Sequence, residues 1–390
     1  MIKPEISYSD EIQKWFGIKV MSFTFQVTED CNLYCTYCYQ GNKTKKYMTF
    51  KTAKDTVDFI FKEAKNPDSI LSYDVNGGIV FDYIGGEPFL CADLIYDLIK
   101  YIEEKMIEEN SPWLLFHRHS FSSNGTLYFT DKVQQIIRDF SDVISISVTV
   151  DGCKELHDQC RVFKDGSGSY DLAIKAALDQ LNHFGNDATK ITLSPYNIKY
   201  TSKAIINMLQ LGFKHIHANC VFEEGWTEEH ADILYKEMLI LADYVREHQD
   251  CYVNILDDAN YQKYIIDCAD RDNNWCGGDG SMIAVDPDGT LYPCVRYTST
   301  SLGPGVKPVV IGSIYTGIYN TKESCELYKE MKSMTRTSQS TKECIECNIA
   351  SGCSWCSAFN YQTFKQFNKR ATFICVMHKA MAKACEYFWR

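Results

Sequence analysis

The chain has no run of about eighteen apolar residues, the length a helix needs to cross a bilayer, so no membrane span is expected. Its opening stretch, Met1 to Val20, carries Lys3, Glu5, Asp10, Glu11, Lys14 and Lys19 and lacks the apolar core of a secretion signal. A cytoplasmic protein is the expectation. Basic charge is not in excess: 40 Lys and Arg face 51 Asp and Glu, a net charge of −11. A general nucleic-acid binder would show a basic face, so neither nucleic acid nor membrane is expected as a partner. The short basic stretch Asn42 to Lys46 reads as a solvated loop. Sequence repeats and low-complexity tracts are absent as well, which leaves no case for a repeat architecture.

What the chain does have is cysteine, eighteen residues of it. Without an export signal these argue against a disulfide framework and for metal. Three of them, Cys31, Cys35 and Cys38, form a C-x3-C-x2-C pattern within Thr28 to Tyr39. That spacing offers three thiolates to a cluster with four iron corners, leaving one iron without a protein ligand. Ferredoxin clusters use four cysteines and only move electrons. An open iron can bind and reduce a small molecule. The plain alternatives are a zinc knuckle or scattered core cysteines. Zinc sites usually pair C-x2-C elements with a fourth Cys or His nearby. Here the nearest later cysteine, Cys91, follows a helix and a strand.

At 390 residues the chain suits one large barrel plus an appendage, and 45% hydrophobic content is ample for its core. Short β-branched or aromatic runs alternate with stretches of helical period. Strands are expected at 22–27, 79–84, 115–122, 144–150, 190–193 and 214–219. Helices are expected at 50–64, 90–109, 131–140, 170–184, 199–211 and 228–249. Six strand–helix units in order read as an α/β fold, a partial (β/α)6 TIM-like barrel whose chemistry lies at the C-terminal strand ends. The first cysteine triplet obeys this rule. After about residue 250 helical period fades and Gly, Cys, Ser and Thr become frequent. We therefore expect a lead-in over 1–20, a barrel over 21–255 and a small Cys-rich domain over 256–390 that needs metal as a staple.

The second strand ends in Gly85-Gly86-Glu87-Pro88. Two glycines let backbone approach a ligand, and the carboxylate can accept from an ammonium group. The third strand ends in Ser122-Ser123-Asn124-Gly125-Thr126, and the fourth in Thr149-Val150-Asp151-Gly152 followed by His157-Asp158-Gln159-Cys160-Arg161. Together with the triplet, these segments resemble the radical S-adenosylmethionine (SAM) superfamily. In that family the open iron of a [4Fe–4S] cluster chelates SAM, which is split to methionine and a 5′-deoxyadenosyl radical. The resemblance implies that Tyr37 lies against the adenine and that Gly85, Gly86 and Glu87 take the methionine amino end. It also implies that Ser122 or Asn124 reaches SAM or substrate, and that Thr149 and Asp151 belong to the same site. Thr149 stands where serine is usual and keeps the hydroxyl. Arg161 would pair with the methionine carboxylate, which suits a planar bidentate donor. His157 reads as a polar residue on a helix surface.

Beyond the boundary, Cys276 and Cys294 bracket Asp286-Pro287-Asp288-Gly289, a turn signature between two short strands. Then follow Cys344, Cys347, Cys353, Cys356 and, after a gap, Cys375. This resembles the SPASM domain of radical SAM enzymes that modify peptides, which carries two auxiliary [4Fe–4S] clusters. Carried across, Cys344, Cys347, Cys353 and Cys375 would hold the distal cluster, and Cys276, Cys294 and Cys356 the proximal one. Two residues separate the last pair of the tight run where that family usually has three. The proximal cluster's fourth ligand is Cys268 or an open iron. A pair of zinc sites is the alternative for the whole segment. Cys385 reads as a free thiol, and Cys91, Cys153, Cys160, Cys220, Cys251 and Cys325 as structural or unassigned.

The resemblance implies an enzyme, with a ribosomally made precursor peptide as substrate and a reductant such as flavodoxin or ferredoxin as partner. No catalytic residue is assigned. Sulfatase maturases of this family place an Asp directly after the cysteine of a Gly-x4-Cys motif. Here that residue is Val295, followed by Arg296, although Asp279, Asp286 and Asp288 are near in sequence. The preferred reading is a maturase that forms thioether links in a Cys-containing peptide, most similar to those acting on Cys-x-x-x repeats. Formylglycine formation and C–C crosslinking are alternatives, as is a non-catalytic Fe–S or zinc scaffold.

Overall fold

The computed structural model describes residues 17–223, 225–257, 282–350 and 352–390. Cys268, Cys276 and Asp279 lie outside the described residues. The first part alternates strand and helix: β1 (Val20–Gln26), α1 (Phe50–Ala64), β2 (Gly78–Ile84), α2 (Ala92–Glu108), β3 (His117–Ser123), α3 (Asp131–Phe140) and β4 (Ile144–Val148). It continues through α4 (Lys154–Cys160), α5 (Tyr170–Phe184), β5 (Ala188–Leu193), α6 (Thr201–Gln210), β6 (His215–Cys220) and α7 (Glu228–Glu247). Strands β1 to β4 pair in order and in parallel, as do β5 and β6. A single parallel bridge, Thr149 to Lys190, joins the two sheets. A two-residue strand β7 (Tyr252–Val253) extends the second sheet. This is the expected six-unit partial barrel.

Strand alternation decides what faces where. In β1, Met21, Phe23 and Phe25 are fully buried. In β2 and β3 the same face carries Ile79, Phe81 and Tyr83, then His117, His119 and Phe121. That face packs under helices such as α1, whose Ala53, Val57, Ile60 and Phe61 are buried at helical spacing. The opposite face points into the lumen. Helix starts are capped as the sequence dictates, Thr49 accepting from Thr52 N and Thr227 from His230 N.

The C-terminal segment is built onto the barrel. Strand β8 (Met282–Val285) pairs in parallel with β1. It turns at Asp286–Gly289, where Gly289 has φ +87°, and returns antiparallel as β9 (Thr290–Tyr292). Two short strands, β10 (Gly312–Ser313) and β11 (Gly317–Ile318), complete the eight-stranded sheet. Helices α8 (Lys322–Ser333), α9 (Arg336–Gln339), α10 (Lys342–Ile345), α11 (Ser357–Phe364) and α12 (Cys375–Trp389) follow. Helix α12 is tied to the barrel by Arg246, which donates to the Tyr387 and Phe388 carbonyls. Trp389 Nε1 donates to Leu256 O at 2.8 Å, and the Cys385 thiol, fully buried, to Ile255 O at 3.0 Å. Among the described residues, no helix is long and apolar enough to cross a membrane.

Candidate functional site

The loop after β1 carries Cys31, Cys35 and Cys38, all partly buried. Its backbone is pinned to the start of the next motif: Tyr34 N donates to Val162 O at 2.7 Å and Thr36 N to Cys160 O at 2.9 Å. Leu33 N points at Cys31 Sγ, 3.4 Å away. Burial pushes the Cys31 thiol up to about 11 and raises Cys35 as well. Both stay protonated near neutral pH until a metal displaces the proton. Gly85 and Gly86 are needed here for a different reason than ligand approach. A Cβ on Gly85 would lie 2.6 Å from Thr28 O, and one on Gly86 2.2 Å from Asp30 O and 2.6 Å from Cys31 Cβ. The end of β2 therefore lies flat against the cysteine loop, with Glu87 N donating to Asp30 O at 2.9 Å.

Glu87 is buried and fully engaged by the chain. Its Oε1 accepts from Ser123 Oγ at 2.8 Å and Phe89 N at 3.2 Å, and its Oε2 from Asn124 N at 2.8 Å. Burial raises its pKa, and these donors oppose the rise. Asn124 Nδ2 in turn donates to Asn32 Oδ1 at 2.8 Å, which steadies the cysteine loop. Glu87 and Asn124 thus brace the ends of β2 and β3 under the triplet.

Across the lumen, the Tyr37 hydroxyl donates to Asp151 Oδ2 and accepts from Arg161 Nη1 at 3.0 Å. Asp151 is fully buried and also accepts from Thr192 N at 2.9 Å. Burial raises the Asp151 pKa while Arg161 opposes it. Arg161 is 8% exposed and its Nε has no hydrogen-bond partner. Arg161 lines the cavity, and a buried guanidinium there fits a carboxylate ligand such as that of SAM. We expect Arg161→Lys to weaken SAM binding at least about tenfold, because an ammonium cannot make the bidentate contact. An unchanged dissociation constant in anaerobic titration would remove Arg161 from the site.

His157 corrects the surface expectation. It is fully buried; its Nδ1 accepts from Asp151 N at 3.1 Å and its Nε2 meets Ser169 Oγ at 3.0 Å. Its helical position turns it inward to hold the end of β4. Burial, with Arg161 second, pushes its pKa down to about 3. The folded value lies below the unfolded one of about 6.5, so the folded state binds fewer protons. Stability from this group is complete above about pH 6.5 and falls toward pH 3, by up to about 1.4 kcal/mol per pH unit. Denaturant titrations from pH 7.5 to 4.5 should show this slope in the native chain and a shallower one in His157→Gln. Equal slopes would refute it.

These residues enclose one cavity of about 550 Å³, within the range of small-molecule sites. Cys31, Cys35, Cys38, Tyr37, Gly85, Gly86, Glu87, Ser122, Asn124, Thr149 and Arg161 line it, whereas Asp151 sits behind Tyr37. Sequence reasoning missed Asp82, Lys190, Cys220 and Glu223, which line it too. The signal was available for two of them: Asp82 interrupts an otherwise apolar strand, and Lys190 is the one charged residue of β5.

The opposite wall comes from the C-terminal segment, through Val295, Arg296 and Cys356. Arg296 donates twice to Glu223 Oε1, at 3.1 and 3.2 Å, and lies 4.6 Å over the Tyr39 ring. Asp286 is occupied by the turn, accepting from Asp288 N, Thr290 N and the Tyr292 hydroxyl. Asp288 pairs with Lys46. Neither lines the cavity. Cys344, Cys347, Cys353 and Cys375 fall within one another's electrostatic reach, Cys353 sensing Cys375 and Cys347, and Cys375 sensing Cys344 and Cys347. Burial pushes Cys353 up to about 11. Cys294 and Cys38 both act on Tyr39, which lies between the two cysteine regions.

Among the described residues, Glu103, His117 and His119 are the one set of three His, Cys, Asp or Glu ligand atoms that lie within 4.8 Å of one another.

Residues 25–237 match the family model described as the Radical SAM superfamily. An uncharacterised protein of Methanocaldococcus jannaschii is 25% identical over 274 residues, 69% of this chain and 82% of that one. The subtilosin biosynthesis protein AlbA of Bacillus subtilis is 20% identical over 302 residues, 76% of this chain and 59% of that one. Among solved structures, native anSMEcpe with bound AdoMet and Kp18Cys peptide superposes with a TM-score of 0.69 at 17% identity, covering 94% of this chain and 97% of that one. Streptococcus suis SuiB bound to precursor peptide SuiA gives 0.60 at 16% identity, covering 93% and 79%.

Proposed function

Because the chain belongs to the radical SAM superfamily, we propose that it is a maturase of a ribosomally made, Cys-containing peptide and forms thioether links in it. The observation that carries this reading is the cavity itself. One wall is the triplet with Arg161, and the other is Cys356, Val295 and Arg296 from the Cys-rich segment. A substrate between them touches both cysteine regions at once. The peptide class is supported by AlbA, named for biosynthesis of the bacteriocin subtilosin, and by two structural neighbours described with bound peptides.

When bound, SAM and a [4Fe–4S] cluster supply a hydrogen-abstracting radical. Cys31, Cys35 and Cys38 would hold that cluster. Arg161 would orient the methionine carboxylate, and Glu87 and Asn124 keep the cysteine loop in place. Cys294, Cys344, Cys347, Cys353, Cys356 and Cys375, with Cys276 and Cys268, would hold two auxiliary clusters. An external reductant such as flavodoxin or ferredoxin would supply electrons. Val295 offers no base where formylglycine chemistry needs one, and Arg296 keeps Glu223 ion-paired.

A thioether product has lost one C–H and one S–H and gained one C–S bond. We expect the modified peptide to be about 2 Da lighter per link and to lose one alkylatable thiol per link, since the thiolate is the reactive form. A reductant restores a disulfide but leaves a thioether intact. C–C crosslinking would leave every thiol alkylatable. An aldehyde trapped by hydrazine on a sulfatase-type peptide, with no reductant-resistant thiol loss on Cys-rich ones, would overturn the thioether reading.

A further inference from the structure

We propose that Glu103, His117 and His119 form a binding site for a divalent transition metal of the zinc class, on the outer face of the barrel and independent of the cysteine sites. His117 and His119 are two apart on β3, so both point to the same face, and α2 lays Glu103 across them. Glu103 Oε1 lies 2.8 Å from His117 Nε2 and 2.9 Å from His119 Nε2. All three ligand atoms lie within 4.8 Å of one another.

Tautomers make the case. His117 Nδ1 faces two carbonyls, Leu114 O at 3.1 Å and Trp113 O at 3.3 Å. Carbonyls only accept, so Nδ1 carries the proton and a neutral His117 presents a bare Nε2. That lone pair would then face a carboxylate oxygen at 2.8 Å, an acceptor against an acceptor. The contact is attractive only with a second proton on His117 or a cation between the groups. His119 Nδ1 meets the Tyr83 hydroxyl at 2.8 Å, and both residues are fully buried.

The surroundings match a metal site. Metal-ligating imidazoles almost always anchor their other nitrogen to a carbonyl, carboxylate or water. His117 does so, and Tyr83 serves His119. Two imidazoles and one carboxylate suit zinc, leaving a fourth position for water. Glu103 is the outermost ligand, its side chain 23% exposed, so solvent reaches the site from that side. Arg118, between the two histidines, sends its guanidinium to the Asp142 carbonyl.

The test uses holoenzyme reconstituted anaerobically with iron and sulfide, so that the cysteines are occupied, then equilibrated with zinc and desalted. The native chain should retain one zinc more than Glu103→Gln, whose affinity should drop by more than about tenfold, since loss of even an outer partner costs that much. Zinc-edge X-ray absorption of the native chain should show nitrogen and oxygen ligands without sulfur. Deoxyadenosine yield of Glu103→Gln should match the native enzyme, showing that the barrel is intact. Equal zinc retention in the two proteins, or sulfur around the zinc, would overturn the site.

Discussion

Replacing Cys31, Cys35 and Cys38 together with Ala should lower the iron of the reconstituted enzyme from about twelve to about eight atoms per chain and abolish deoxyadenosine formation. The three sulfurs sit on one short loop at the mouth of the lumen and line the cavity with Arg161. The cysteines proposed to hold the auxiliary clusters belong to the C-terminal segment, so their iron should stay. The loop itself should survive. Its shape comes from backbone bonds to Val162, Cys160 and Lys46 and from the close fit of Gly85 and Gly86, none of which needs a thiol. Iron analysis and chromatography of deoxyadenosine under dithionite give both readouts. Continued SAM cleavage by the triple variant would remove these cysteines from the chemistry.

Glu87→Ala should destabilise the protein by roughly 3–9 kcal/mol. It strands three buried donors, Ser123 Oγ, Phe89 N and Asn124 N, each costing about 1–3 kcal/mol when left unpaired. Glu87→Gln keeps one oxygen for Ser123 and Phe89 but turns an amide donor toward Asn124 N, so its cost should be about 1–3 kcal/mol. Anaerobic thermal unfolding measures both, and SAM titration of the Gln variant adds a second readout. Were Glu87 chiefly a partner for an ammonium group, the Gln variant would lose SAM affinity at an unchanged melting temperature. That pattern would sink the bracing role.

How much of this was legible depended on whether the signal was local. The six barrel strands lie where runs such as Ile79–Ile84 place them, and helix 50–64 matches to the residue. Ends drifted where punctuation was underweighted. The third strand begins at His117, not Leu115, because Pro112–Leu115 winds into a 3-10 turn capped by Ser111. The helix expected from Leu90 begins at Ala92 behind a similar turn at Pro88–Cys91. The helix Lys154–Cys160 bears out the reading of His157 as helical, but its inward turn was not foreseen. The Asp286–Gly289 turn was read correctly from four residues. The pairing of β8 with β1 left no trace in sequence, since nothing local records a neighbour so distant. The same holds for Arg296 and Glu223, whose partnership spans a boundary that local composition marked as a divide.

The parallel seam between β1 and β8 also sets a timetable for synthesis. The ribosome delivers β1 almost at once, but the strand that covers its free edge comes roughly 250 residues later. At about 5–20 residues per second, that edge waits on the order of 10–50 s with its backbone donors and acceptors unpaired. An uncovered edge is a template for pairing with other chains. The nascent barrel is therefore exposed to edge-to-edge association until β8 arrives, and slowing translation between β7 and β8 lengthens that exposure.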